Sequence, residues 1–203
     1  MITVHGRADS SNVQKVLWAL DEVGAAWRRI DRGRQFGGLD DPEFRALSPV
    51  GRIPVVEDGE LALFESNAIL RHYGRTWGGP LWPTEPAVLG RAEAVMDWCL
   101  STFWPAVRRP FQLLRDGTDD SAYVAEAITA ASAQLDPLAV FVADGAVAGR
   151  DFTLADIPPA VVLHRLLWCD ATLALPGPVQ AWWRACAARP ACQTHVTLVA
   201  RAA

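Results

Sequence analysis

Residues Gly51–Ile69, GRIPVVEDGELALFESNAI, set two short apolar runs around an acidic turn and then group Glu65, Ser66 and Asn67 before another apolar run begins. "IPVVED" and "ELALF" read as an antiparallel hairpin, and "SNAILRHYGRTW" as a helix that follows at once. A carboxylate, a hydroxyl and an amide at a helix start have two readings. They cap the helix, or they cradle a small molecule.

Working outward, "ITVHG" alternates like a strand, and "SSNVQKVLWALDEVG" carries Val13, Val16, Leu17 and Leu20 at helical spacing, with Gly24 where a helix-ending glycine belongs. "AWRRIDR" reads as a second strand and "PEFRALSP" as a short helix opened by proline. Residues 1–77 are thus expected to form a βαβ, α, ββα domain. "GGPLWPTEP" has the glycine and proline content of a linker, placed at 78–86. From 87 to 203 the period is helical in "AVLGRAEAVMDWCLSTFWPAVRRPFQLLR", "SAYVAEAITAASAQLDPLAVFVA", "TLADIPPAVVLHRLLWC" and "PVQAWWRACAARP", which predicts an all-α bundle. The fold class is therefore α/β followed by α. In "FTLAD", Thr153 and Asp156 have the spacing of a capping box, a structural role.

Composition excludes several functions. With 203 residues, 51% hydrophobic and 21% charged, the chain is long enough to bury a substantial core. Its net charge of −4 and scattered arginines give no electrostatic footprint for nucleic acid. Arg7 and Asp9 interrupt the start where a signal peptide needs an apolar core, and no uncharged apolar stretch reaches the roughly 18 residues of a membrane span. A cytoplasmic location is expected. Cys99, Cys169, Cys186 and Cys192 form no CxxC pair and no metal-like spacing with the four histidines, so they read as free buried thiols and no metal is expected.

"SSNVQKVLWAL", "GRIPVVEDGELALFESNAILRHY" and "FTLAD", in that order and within that domain plan, resemble the glutathione S-transferases over nearly the whole chain. The fuller opening "GRADSSNVQKVLWAL" is most similar to bacterial members related to the theta and nu classes. The resemblance implies a thioredoxin-like first domain, an all-α second domain, glutathione as co-substrate and a homodimer. In such a fold the Ile53–Pro54 bond is cis, and the outward-turned backbone of Ile53 pairs with the cysteinyl unit of glutathione as an added piece of strand. Glu65 then matches the γ-glutamyl ammonium, while Ser66 and its amide take the α-carboxylate. The thiol points at the start of the first helix. There Ser10 falls on the active serine of theta-like enzymes and Asn12 on a position used in nu-like ones. The expected order is Ser10, Asn12, Ser11, and all three also make good caps. Gln35, Arg34 and Arg52 are candidates for the glycyl carboxylate. Trp104, Arg108 and Phe111, spaced by four and three, share a face expected to hold the electrophile between the domains, a face that core packing explains as readily.

The function expected is glutathione conjugation, a detoxification chemistry in which Ser10, helped by Asn12 or Ser11, stabilises a thiolate that attacks a small hydrophobic electrophile. One donor together with the helix dipole would lower a thiol from about 8.5 to about 6.5 or 7. Two other readings remain: a glutathione-dependent disulfide or peroxide reductase working through glutathione thiols alone, and a non-catalytic module that binds a partner protein.

Overall fold

The computed structural model describes residues 1–118 and 120–197. Contacts divide the chain into two units, Met1–Trp82 with Pro190–Thr197, and Pro83–Arg189.

In the first unit, β1 (Ile2–His5), α1 (Ser11–Glu22), β2 (Trp27–Ile30), α2 (Pro42–Leu47), β3 (Val55–Asp58), β4 (Leu61–Phe64) and α3 (Ser66–Trp77) follow the expected order. The sheet runs β2-β1-β3-β4. The first two strands are parallel, with Ile2 beside Trp27, and β3 lies antiparallel to β1, with Val4 opposite Val56. The hairpin of β3 and β4 pairs Val55 with Phe64 and closes at Asp58 and Leu61. β1 is buried at every residue, as a central strand should be, whereas β2 alternates half-buried and exposed along one edge. His5 bridges beneath the sheet. Arg32 Nε lies 3.3 Å from its Nδ1 and Glu57 meets its Nε2. Because a guanidinium only donates, the imidazole proton sits on Nε2, facing the carboxylate.

Val13, Val16, Leu17 and Leu20 of α1 are buried, and the helix packs against α3. Gly74 on α3 serves a different contact. A Cβ there would meet the Trp82 ring at 2.3 Å, so only glycine lets the indole lie on the helix. A short α10 (Pro190–His195) also packs on α1, with His195 Nε2 2.6 Å from Asp21 and the Trp27 and His195 rings 5.6 Å apart. Helical period alone gives no sign that this last described helix belongs with the first unit.

The second unit contains α4 (Pro86–Trp98), a wide helical turn over Cys99–Phe103, α5 (Trp104–Arg115), α6 (Ser121–Ser132), α7 (Leu135–Phe141), α8 (Ile157–Cys169) and α9 (Gly177–Ala187). The wide turn ends two residues before Pro105, whose missing N–H would interrupt a regular ladder. α8 is buried almost all round and packs against α4, α5, α6 and α9. At its head, Asp156 does more than complete a capping box. Its Oδ2 accepts from the Thr153 amide at 2.8 Å and hydroxyl at 3.0 Å, and its Oδ1 accepts from the Val147 amide and Trp182 Nε1, both at 2.8 Å. Burial pushes this carboxyl's pKa up, while the four donors pull the other way.

All four cysteines are buried and none is in a disulfide, and burial with nearby Glu22 pushes the Cys192 thiol up to about 12. Cys192 is therefore no ready thiolate. Among the described residues no group of His, Cys, Asp and Glu could hold a metal ion, and no helix is long and apolar enough to cross a membrane.

Candidate active site

Three loops of the first unit converge, and glycine makes this possible. Gly6, directly after β1, has φ +145°, and a Cβ there would lie 2.5 Å from Val13 Cγ2 and 3.1 Å from Ile53 Cβ. No other residue lets the start of α1 come so close to Ile53. A Cβ on Gly33 would likewise stand 3.5 Å from both Arg7 Nη1 and Ile53 Cδ1, which brings in the loop after β2. Asp9 ties these loops together, 2.9 Å from Arg7 Nε and 3.5 Å from Arg34 Nη1.

Ile53 precedes the ladder, which begins at His5 opposite Val55, and its bond to Pro54 is cis. At the start of α1, Ser10 occupies the cap position with extended backbone. Its carbonyl accepts the Gln14 amide at 2.9 Å, yet its side chain makes no capping hydrogen bond. The hydroxyl's capping capacity is unused. Asn12, by contrast, is engaged: its Oδ1 accepts from Lys15 Nζ at 3.0 Å. Ser11, the first residue of the helix, is half-buried.

At the start of α3 the cap position falls to Glu65, not to Ser66, and the Glu65 side chain makes no capping bond either. Glu65 holds φ +67°, a region that costs a non-glycine residue on the order of 1 kcal/mol or more. Ser66 is buried, 3% exposed, at the positive end of the helix, where the first N–H groups have no partner within it. The chain therefore presents a strained carboxylate beside a buried hydroxyl and an anion-favouring helix end.

The remaining expected residues are less concentrated. Gln35 and Arg52 are exposed, and Arg34 is paired with Asp9. In the second unit the face of Trp104, Arg108 and Phe111 divides. The buried stripe of this segment runs through Phe103, Val107, Pro110 and Phe111, so Trp104 and Arg108 lie on its border. Phe111 is core: its ring is 5.0 Å from that of Trp168, and Arg165 lies over it at 5.4 Å. Trp104 is half-buried, 6.5 Å from Phe111, and Arg108 is exposed. A cavity of about 550 Å³ between α4 and α7, walled by Val95, Trp98, Val140 and Phe141, contains none of the three.

Known proteins resemble this chain in sequence and fold. A family model for the N-terminal domain of glutathione S-transferases matches residues 1–75. Glutathione S-transferase GstB of Escherichia coli strain K12 is 34% identical over 98% of this chain and 99% of its own. The chain belongs to the glutathione S-transferase family. Glutathione S-transferase 4 of Zea mays is also 34% identical, over 94% of this chain and 89% of its own. A theta-class glutathione S-transferase of Xanthomonas axonopodis pv. citri, solved with glutathione bound, superposes with a TM-score of 0.88 at 35% identity, covering 98% of both chains.

Two features of this family member are not evident from its sequence. Gly6 stands at the end of a strand motif with no sign of what it approaches. Lys15, 1% exposed, lies inside the apolar run of α1. A cation set between Val13 and Val16 is the only local signal of its burial.

Proposed function

We propose that the chain binds glutathione along the first unit and activates its thiol for attack on a hydrophobic electrophile. As a glutathione S-transferase it takes glutathione as co-substrate. The cysteinyl backbone pairs with Ile53 ahead of cis Pro54, Glu65 meets the γ-glutamyl ammonium, and Ser66 with the head of α3 takes the adjacent carboxylate. Ser10 donates to the sulfur, with Asn12 or Ser11 as further donors. Gln35, Arg34 and Arg52 remain the candidates for the glycyl carboxylate. The observation that carries this reading is Glu65: its backbone is held at positive φ, its carboxylate caps nothing, and a ligand ammonium gives that cost a purpose.

Mechanistically, the thiol proton leaves to solvent and the sulfur keeps its electron pair. A hydrogen bond to the charged form, about 1.5 to 3 kcal/mol, lowers a pKa by about one to two units, and the positive end of α1 adds to it. Trp104 and Arg108 stay as candidates for the electrophile side, while Phe111 would act through the core beneath them. The domains proposed are 1–77 and 87–203 joined by 78–86, in a cytoplasmic homodimer. Half-exposed Leu61 and Phe64 on edge strand β4 support a covered surface there.

Assay with glutathione against a panel of an aryl halide, a hydroperoxide and a disulfide, each compared with its uncatalysed rate, tests the reading. Turnover of the aryl halide is expected. Turnover confined to disulfide or peroxide would make the chain a reductase, and glutathione binding without turnover would make it a binding module.

A further inference from the structure

We infer that Lys15 is a positioning residue for the thiol end of the site: it holds the Asn12 carboxamide by its oxygen, so that the amide N–H groups become a second donor to the glutathione sulfur. This inference rests on the glutathione reading above. The two residues are three apart on α1, one turn of the same face. An ammonium has only donors, so the atom 3.0 Å from Lys15 Nζ must be the amide oxygen. That contact settles which end of the Asn12 side chain is spoken for. Both Nδ2 hydrogens point away from the lysine, and an acceptor is what they can serve.

The placement of Lys15 points the same way. Its side chain is 1% exposed, in the second turn of a helix whose nearby N-terminal end is itself positive. A side chain so enclosed keeps its place, and through their hydrogen bond it fixes the Asn12 carboxamide in one orientation. Its effect on the ligand passes through that amide, which stabilises a thiolate more than a neutral thiol. The ionisation itself is simple: the S–H proton goes to water and the sulfur retains the pair. Other charges around α1 are Arg7, Asp9 and Arg34 on the converging loops, Arg71, His72 and Arg75 on α3, Asp21 paired with His195 of α10, and Glu22, which accepts from Trp18. Asp9 is the one carboxylate among the residues just before α1, and it is flanked by Arg7 and Arg34.

The experiment measures glutathione binding by calorimetry and the pKa of bound thiol by ultraviolet absorbance for wild type, Lys15→Met, Asn12→Ala, the double variant and Lys15→Arg. Lys15→Met and Asn12→Ala should each raise the thiol pKa by about half a unit to one unit. The double variant should go no higher than the larger single, because the lysine acts through the amide, and Lys15→Arg should restore most of the shift. A structural role alone would lower the melting temperature and leave the thiol pKa in place, which overturns the inference. Additive shifts, or a shift with Lys15→Met but none with Asn12→Ala, overturn it too. If wild type binds no glutathione, the broader reading has failed first. Should Lys15→Met not fold, nuclear magnetic resonance of the wild-type Asn12 side-chain amide decides. Its signals should follow ionisation of bound glutathione and stay still with S-methylglutathione, which has no thiol to ionise. Equal behaviour with both ligands overturns the inference.

Discussion

The head of α8 and the heads of α1 and α3 use the same kinds of residue and treat them in opposite ways. At α8, Asp156 is buried and its two oxygens receive four hydrogen bonds. At α1 and α3, Ser10 and Glu65 occupy cap positions and make no side-chain cap, and Glu65 is additionally strained. Caps are inexpensive to make and contribute about 1 kcal/mol. A fold that completes one and leaves the other two unformed keeps those two side chains available to another partner. The difference teaches that a serine or carboxylate at a helix start is assigned by whether its capping bond is formed, which sequence cannot tell.

Removing the satisfied carboxylate should have the largest effect. Asp156→Ala strands two backbone amides, the Trp182 indole N–H and the Thr153 hydroxyl, and is expected to cost about 3 kcal/mol or more of stability. Calorimetric melting measures this. A melting temperature within a few degrees of wild type would break the comparison at its structural end.

At the other end, Glu65→Ala or Ser66→Ala should weaken glutathione binding by about one to two orders of magnitude, since a charge-assisted contact contributes roughly 1.5 to 3 kcal/mol. Stability should hardly change. Glu65→Gly sharpens the contrast, because glycine accepts φ +67° without strain. That variant should melt no lower than wild type while binding glutathione as weakly as Glu65→Ala. Titration calorimetry beside melting separates the outcomes, and a variant that loses stability but keeps affinity would return these residues to capping.

Much of the fold is legible in the sequence. Alternation in "ITVHG" and "ELALF", the helical spacing of Val13, Val16, Leu17 and Leu20, and the proline opening α2 are local signals, and local signals survive folding. What stays hidden depends on contacts distant in sequence. α10 joins α1 through His195 and Asp21, 174 positions apart. Trp104, Arg108 and Phe111 do share a helical period, but a stripe's centre and its border have the same period, and only packing against Trp168 shows that Phe111 lies inside. Ser10, Ser11 and Asn12 are recognisable as a cluster. Their distinction rests on Lys15, whose burial is hinted at only by its place between Val13 and Val16.

Ser10→Ala gives a smaller effect in a sharper observable. Loss of the donor should raise the pKa of bound thiol by roughly one to two units, because the hydroxyl stabilises only the charged sulfur. A raised thiol pKa means less thiolate at neutral pH. Conjugation should fall about tenfold near pH 7 and recover as the pH passes the new pKa. Binding of the un-ionised ligand should hold. Loss that persists at high pH would mean that Ser10 positions something other than the proton equilibrium.

The smallest effect is expected at a fourth helix start, α4, which is capped in solvent. Glu85 accepts from the Ala87 amide at 3.0 Å and the Val88 amide at 2.8 Å, and these bonds hold its carboxyl below the ordinary 4.5. A carboxyl lowered by folding adds stability that is fully present above its unfolded value, near 4.5, and is lost as the pH falls through the lower folded value. Glu85→Gln keeps an acceptor and removes the charge, so it should melt slightly below wild type at neutral pH. As the pH falls through that lower folded value, where the wild-type carboxyl itself becomes neutral, the gap should narrow toward zero. Melting curves of both proteins over that range read the difference directly. A gap independent of pH would show that α4 needs only an oxygen there and not a charge. The capped helix starts would then differ from the site's heads in geometry alone, and the anion preference assigned to the head of α3 would have to rest on Ser66 and the backbone amides without help from the dipole.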